Sequence, residues 1–139
     1  EDLVYENTDP ELVDFQLDTY WAARGGADPV ELINRYKDRI VSLHQKDFPA
    51  NASQPLNLFD GLIAPDEHIT QELYAKYKKQ DTFIEIGNGI LDIQSYIDAA
   101  NEAGIDKIYL EQDLTALDEL ESVRVSMDNF KKYSGIEWD

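Results

Sequence analysis

Three apolar segments of this chain each end in a side chain that can bind a metal ion, just before polar residues and a helix-like stretch. The segments are residues 15–18, 41–44 and 108–111, which end in Asp18, His44 and Glu111. The carboxyl ends of parallel strands meet at one edge of a sheet or barrel, so these side chains would converge if the segments are successive parallel strands. The pattern therefore predicts an α/β fold with its chemistry at that edge.

Helix signals lie between these segments. Asp28 followed by Pro29 is typical of a helix start, and we expect that helix to end near Arg39. Asp92 and Gly104 have the properties of the first and last residues of another helix. Strands joined by such crossover helices run parallel, so the units look like an arc of a barrel.

Three further predictions concern the residues around these units. Residues 19–21 continue the first strand, and a helix capped by Asp66 runs to about residue 79. Thr115 and Asp118 resemble a capping box at the start of a helix in the tail. That helix is predicted from the spacing of Leu120, Val123, Met127 and Phe130.

The length of the chain allows one domain. Its 139 residues, 42% of them hydrophobic, can bury a core but fall short of the roughly 250 residues of a complete eight-stranded α/β barrel. We therefore predict a single domain over residues 1–139. Residues 49–82 contain several helix and strand breakers and form a long insertion, and insertions of this length are typical of active-site lids.

The charge of the chain excludes some functions. Twelve Lys and Arg residues stand against 29 Asp and Glu residues, which gives a net charge of -17. Such a surface repels nucleic acid and is compatible with gathering divalent cations, although an acidic surface that aids solubility accounts for most of it. Cysteine is absent, and no stretch approaches the ~20 apolar residues of a membrane span. We expect a cytoplasmic protein without nucleic-acid or membrane partners.

Four short motifs carry a resemblance to a known family. They are Asp18-Thr19-Tyr20-Trp21, His44-Gln45-Lys46-Asp47, Gly87-Asn88-Gly89 and Glu111-Gln112-Asp113. In this order and spacing they resemble the xylose isomerase-like TIM-barrel family of sugar phosphate isomerases and epimerases, over residues 10–133. The resemblance implies the carboxyl-terminal part of a (β/α)8 TIM barrel, with about three parallel strands and flanking helices, incomplete as a barrel.

The resemblance also implies a metal site. In the family, two Glu, one Asp and one His hold a divalent metal ion, and Asp18, His44 and Glu111 stand at three of those four positions. The other Glu belongs to an earlier strand that this sequence does not contain. Independently of the resemblance, mixed carboxylate and imidazole ligands suit Mn²⁺, Mg²⁺, Co²⁺ or Zn²⁺.

The activity that the resemblance implies is that of a metal-dependent sugar phosphate isomerase or epimerase. Such an enzyme moves a proton through an enediolate on a small keto-sugar or related polyol. Glu111 and Lys46 are the predicted catalytic residues, and Trp21, Lys46 and Asp47 the predicted contacts to the sugar or sugar phosphate.

Each of these residues also has a structural interpretation. Asp18 favours turns and caps, and His44 would be a histidine with a hydrogen-bond partner at a strand end. Lys46 would form an ion pair with Asp47 or Asp113 instead of contacting a substrate. Trp21 would pack against its neighbours, and Gly87-Asn88-Gly89 would be a simple turn.

An incomplete barrel leaves strand edges bare, and such edges pair with other chains. We therefore expect the chain to be inactive alone, and to pair with the missing amino-terminal half or with a second copy. A non-catalytic half-barrel that binds a sugar or a protein partner is the alternative function. An endonuclease IV-like nuclease shares the barrel, but its larger histidine cluster is absent, since His44 and His68 are the two histidines of the sequence.

Overall fold

The computed structural model describes residues 2–138, which form a parallel sheet flanked by helices. The elements in chain order are α1 (Asp2–Glu6), β1 (Phe15–Asp18), α2 (Thr19–Arg24), α3 (Pro29–Tyr36), β2 (Ile40–Gln45), α4 (Gln71–Tyr77), a 3₁₀ turn (Gln80–Thr82), α5 (Ile93–Ala103), β3 (Ile108–Leu110) and α6 (Glu119–Phe130). The predicted α/β fold with three parallel strands is confirmed.

The sheet has the order β1-β2-β3, and its register brings the strand ends together. Asp18 lies opposite His44, and His44 lies opposite Tyr109. The backbone N–H of Glu111 donates to the carbonyl of Gln45 at 3.0 Å, so the ladder continues one residue beyond β3. All three predicted strand ends therefore lie on one edge of the sheet.

The two faces of the sheet differ in what covers them. Leu17 and Leu43 point into a core shared with α3 and α5, and Ile108 packs against that core. Side chains on the opposite face alternate with these, as the two-residue period of a strand requires. That face is open: Tyr109 is 49% exposed, and the His44 side chain is 31% exposed.

Capping residues explain where α3 and α5 begin and end. Asp28 accepts from the backbone N–H of Val30 with Pro29 in the first position, as predicted. Asp92 caps α5, and Gly104 ends it in the left-handed conformation, with a φ of 76°. The predicted end of α3 near Arg39 is wrong, since the helix ends at Tyr36.

Two other predictions for the connecting residues are wrong. Residues 19–21 are helical, because the Asp18 carboxylate accepts from the backbone N–H of Trp21 and so starts α2 directly after β1. The helix predicted from Asp66 is shorter, since Thr70 caps it and it begins at Gln71.

The predicted helix in the tail is confirmed, but a polar side of α6 is buried. Ser122 and Ser126 are fully enclosed, whereas Leu120 is 83% exposed. The backbone N–H of Ile86 donates to Ser126 Oγ at 3.1 Å, and Asn129 Nδ2 donates to the Ile86 carbonyl at 2.8 Å. The helix is therefore held by hydrogen bonds to the segment around Ile86.

Glu85 adds a carboxylate to the contact between α6 and the segment around Ile86. It is 8% exposed and accepts from the hydroxyl groups of Thr115 and Ser122, each at 2.8 Å. The predicted capping box of Thr115 and Asp118 is wrong. The Thr115 hydroxyl donates to Glu85, and Asp118 alone caps α6. Burial acts to raise the pKa of Glu85, but the two hydroxyl donors outweigh it, and the pKa is lowered.

We predict that Glu85→Gln flattens the acid limb of the stability curve. A carboxyl whose folded pKa is lowered contributes stability that is present above its unfolded pKa of about 4.3 and lost as the pH falls through its folded pKa. Urea unfolding between about pH 5 and 3 should therefore show a smaller slope of stability with pH than the wild type. Glu102→Gln, an exposed change of the same charge, is the matched control; equal slopes in both variants would contradict the prediction.

Arg24 connects the 49–82 insertion to α2. Its guanidinium is fully buried, and it donates to the Pro55 carbonyl at 2.6 Å and to Gln54 Oε1 at 2.7 Å. It also lies 5.2 Å from the centre of the Phe48 ring. Because a buried charge is costly unless it is hydrogen-bonded, these contacts fix the start of the insertion. Whether the insertion acts as a lid stays a prediction.

Within residues 2–138, none of the helices is both long enough and apolar enough to cross a membrane.

Candidate metal centre

The structure brings Asp18, His44 and Glu111 together at the carboxyl edge of the sheet. One potential ligand atom from each lies within 4.8 Å of the others. All three side chains are partly exposed, at 21%, 31% and 40%. The cluster therefore opens onto the uncovered face of the sheet.

Asp18 combines a structural contact with a place in the cluster. One carboxylate oxygen, Oδ1, accepts from the backbone N–H of Trp21 at 2.8 Å and starts α2. The other oxygen, Oδ2, lies 3.9 Å from His44 Nδ1. The cap therefore orients the carboxylate, and the structural and functional interpretations of Asp18 are compatible.

The His44 ring points its Nδ1 atom at both carboxylates. Nδ1 lies 3.0 Å from Glu111 Oε2, and the ring stands perpendicular to that of Tyr109 at 6.2 Å between centres. The lone pair or the proton of this nitrogen thus faces the acidic side of the cluster.

Lys46 is the buried cation of the cluster. It is 2% exposed, and its Nζ atom contacts Asp18 Oδ2 and lies 2.5 Å from Glu111 Oε2 and 3.6 Å from Asp113 Oδ1. Burial acts to lower the pKa of Lys46, but the contacts with Asp18 and Glu111 and the charge of Asp113 outweigh it, and the pKa is raised. The side chain is therefore an ammonium ion.

A second lysine reaches the cluster from the insertion. Lys78 Nζ lies 3.2 Å from Asp113 Oδ2, so Asp113 lies between two ammonium groups. The sequence predicted Asp113 as a partner of Lys46 but did not point to Lys78. No local pattern could have done so, because Lys78 and Asp113 lie far apart in the sequence.

Asp47 lies apart from the cluster. It is 1% exposed, and its carboxylate accepts from four backbone N–H groups at 2.9 to 3.2 Å. The donors are Phe48, Gly87, Gly89 and Leu91. Burial raises the pKa of Asp47, and these donors act against that increase. The Gly87-Asn88-Gly89 turn therefore directs its amides at Asp47.

We predict that Gly89→Ala destabilises the protein by about 2 kcal/mol or more. A Cβ atom there would overlap the Asp47 carboxylate and lie 2.5 Å from the Phe48 carbonyl oxygen. Gly25→Ala is the control, because its Cβ would lie no closer than 3.3 Å to other atoms, and its cost should be below about 1 kcal/mol. Chemical denaturation measures both; a Gly89→Ala cost no larger than that of Gly25→Ala would contradict the prediction.

Trp21 also lies outside the cluster. Its ring packs against Tyr20 and Tyr74, each at 5.1 Å, and against Phe83 at 6.1 Å. It borders an apolar cavity of about 160 Å³ between α2 and the insertion. Tyr20 is fully buried and donates to the Thr82 carbonyl at 2.7 Å, and burial raises its pKa to about 12. Both rings therefore connect α2 to the insertion.

Glu111 Oε2 is the oxygen atom that the other charged groups of the cluster approach. It is buried, lies 3.0 Å from His44 Nδ1 and 2.5 Å from Lys46 Nζ, and its charge is balanced by the ion pair with Lys46. With an imidazole and a second carboxylate beside it, the donor set matches that of a divalent cation.

The fold and this cluster together define part of a TIM barrel with a polar site at its carboxyl edge. Two solved sugar phosphate isomerase/epimerase structures from Parabacteroides distasonis match 98% of the chain. Their TM-scores are 0.66 and 0.62, their identities are 21% and 25%, and the chain covers 37% and 36% of them.

Two curated relatives agree with this match. An inosose dehydratase from Lacticaseibacillus casei is 30% identical over 99 residues, 71% of the chain and 30% of the relative. An inosose dehydratase from Geobacillus kaustophilus is 54% identical over 46 residues, 33% of the chain and 15% of the relative. No protein-family model matches.

This chain resembles the xylose isomerase-like TIM-barrel family, and its three parallel strands match part of that barrel. It spans less than a third of the length of the inosose dehydratases and just over a third of the solved structures.

Proposed function

We propose that this chain supplies three ligands of a divalent metal ion in a sugar isomerase, epimerase or dehydratase. The observation that carries the proposal is the convergence of Asp18, His44 and Glu111 within 4.8 Å of one another. A carboxylate from another strand of a complete barrel would add a fourth ligand. Mn²⁺, Mg²⁺, Co²⁺ and Zn²⁺ all suit such a set.

When bound, the metal polarises a substrate carbonyl and makes the neighbouring C–H more acidic. Glu111 is our candidate for taking that proton, because its carboxylate is partly exposed on the open face. Lys46 is our candidate proton donor or hydrogen-bond donor to a substrate oxygen, since it is held as an ammonium in the same cluster. We assign Asp47 the role of holding the turn at residues 87–91, and Trp21 that of holding the insertion, rather than direct contact with the sugar.

Isomerisation and dehydration share their first step. Removing the proton beside the carbonyl creates an enediolate in both reactions. An isomerase or epimerase returns a proton to carbon, whereas a dehydratase protonates and expels a hydroxyl group as water. The relatives named inosose dehydratase favour a cyclic keto-polyol as substrate, and the solved neighbours favour a sugar phosphate.

We predict that Mn²⁺ binds the chain with one-to-one stoichiometry and that His44→Ala abolishes this binding. The imidazole is the one nitrogen donor among the three ligands, and its loss removes the atom that lies 3.0 Å from Glu111 Oε2. Isothermal titration calorimetry measures the binding. His68→Ala is the matched control, because His68 is exposed outside the cluster and should bind like the wild type.

The absence of Mn²⁺ binding both by the wild type and by a variant without the Lys46 ammonium would contradict the metal centre and favour a half-barrel that binds a sugar or protein partner without catalysis. Binding that survives in His44→Ala would contradict the assignment of the ligands.

We predict that a complete barrel containing this chain exchanges a substrate proton with solvent in a metal-dependent way. In D₂O, an isomerase or epimerase should place deuterium on the carbon beside the carbonyl, and a dehydratase should produce, with loss of water, an enol that tautomerises to a 1,2-diketone. Proton NMR distinguishes these products with a keto-inositol and a ketose phosphate as substrates. Glu111→Gln should stop the exchange; exchange at the wild-type rate would contradict the role of Glu111.

A further inference from the structure

We propose that the ammonium group of Lys46 holds the position between the Asp18 and Glu111 carboxylates, so that a metal ion must displace it to bind. The proposal rests on the metal centre proposed above and concerns what sets its affinity. It makes Lys46 a determinant of metal binding in addition to any role toward substrate.

The contacts of Lys46 are those of a cation in a metal site. Its Nζ atom contacts Asp18 Oδ2 and Glu111 Oε2, the same two oxygen atoms that lie nearest to His44 Nδ1. A divalent ion bound by carboxylate and imidazole needs each ligand atom at roughly 2.0 to 2.2 Å. An ion at that distance from both oxygens would lie against the ammonium group, and two cations so close repel strongly.

Asp113 provides the position to which Lys46 can withdraw. Its Oδ1 atom lies 3.6 Å from Lys46 Nζ, and the Asp113 side chain is 10% exposed. Lys46 is itself 2% exposed and cannot turn its charge into solvent without opening the structure. A small movement toward Asp113 would keep the ammonium paired while releasing Asp18 and Glu111.

The charges of the cluster fit this exchange. Asp18, Glu111 and Asp113 supply three negative charges, and Lys46 and Lys78 supply two positive charges. The charges of these carboxylates and lysines therefore nearly balance without a metal ion. Removing Lys46 would leave the two ligand carboxylates facing each other without a cation, which should favour a divalent ion.

Calorimetric titration with Mn²⁺ alone tests the proposal by comparing Lys46→Met with Lys78→Met. Both changes remove one positive charge, but Lys78 contacts Asp113 and not the ligand carboxylates. Lys46→Met should bind Mn²⁺ at least about tenfold more tightly than the wild type, whereas Lys78→Met should change the affinity less than about threefold, as for a more distant charge.

Thermal unfolding gives a second readout that does not depend on activity. Without metal, Lys46→Met should melt below the wild type, because it leaves the Asp18 and Glu111 carboxylates close together without their cation. Saturating Mn²⁺ should raise its melting temperature more than it raises that of the wild type, since tighter binding to the folded state stabilises it more. If Lys46→Met does not fold, Lys46→Gln, which keeps a hydrogen-bond donor, takes its place in both measurements.

Asp113→Asn tests where the ammonium goes. In the wild-type background it should weaken Mn²⁺ binding, because the displaced Lys46 loses its acceptor, and in the Lys46→Met background it should have little effect. Equal effects in both backgrounds would overturn the withdrawal toward Asp113.

The outcomes separate the two proposals. Wild-type binding with equal or weaker binding by Lys46→Met would overturn the displacement and leave the metal centre intact. No Mn²⁺ binding by either protein would overturn the metal centre itself.

Discussion

The register of three short parallel strands is the constraint on which the rest of this structure depends. It places Asp18 opposite His44, and the hydrogen bond from the Glu111 amide to the Gln45 carbonyl brings the third side chain to the same edge. A slip by one residue would turn every side chain to the other face of the sheet. Burial of Leu17 and Leu43 against the helices opposes such a slip, so the core also maintains the geometry of the polar cluster.

Buried charged groups fix the segments around that edge. Arg24 holds the start of the insertion, Asp47 gathers the amides of residues 87–91, and Glu85 accepts from Thr115 and from Ser122 of α6. Each would be costly to bury alone, and each forms hydrogen bonds with groups from a different part of the chain. The insertion, the turn and α6 therefore take positions set by hydrogen bonds to particular charges as well as by apolar packing.

The sequence predicted part of the fold and of the cluster. The strand ends and the helix that begins at Pro29 were predictable, because apolar runs and capping residues act over a few neighbouring positions. The buried side of α6 was predictable only in part. Phe130 is buried, as the apolar spacing predicts, but Leu120 is exposed whereas Ser122 and Ser126 are enclosed. The predicted extent of strand β1 was also wrong. Residues 19–21 have β-forming side chains, but the Asp18 carboxylate caps a helix that begins at Thr19.

The sequence by itself determined the types and the order of the candidate ligands, since Asp18, His44 and Glu111 each end an apolar run that can form a strand. Tertiary structure alone decided which neighbouring charges join them. Lys46 and Asp47 are adjacent in sequence, yet one lies among the carboxylates of the cluster and the other faces backbone amides. Successive residues of an extended backbone point in opposite directions, and what each then meets depends on segments far away in the chain.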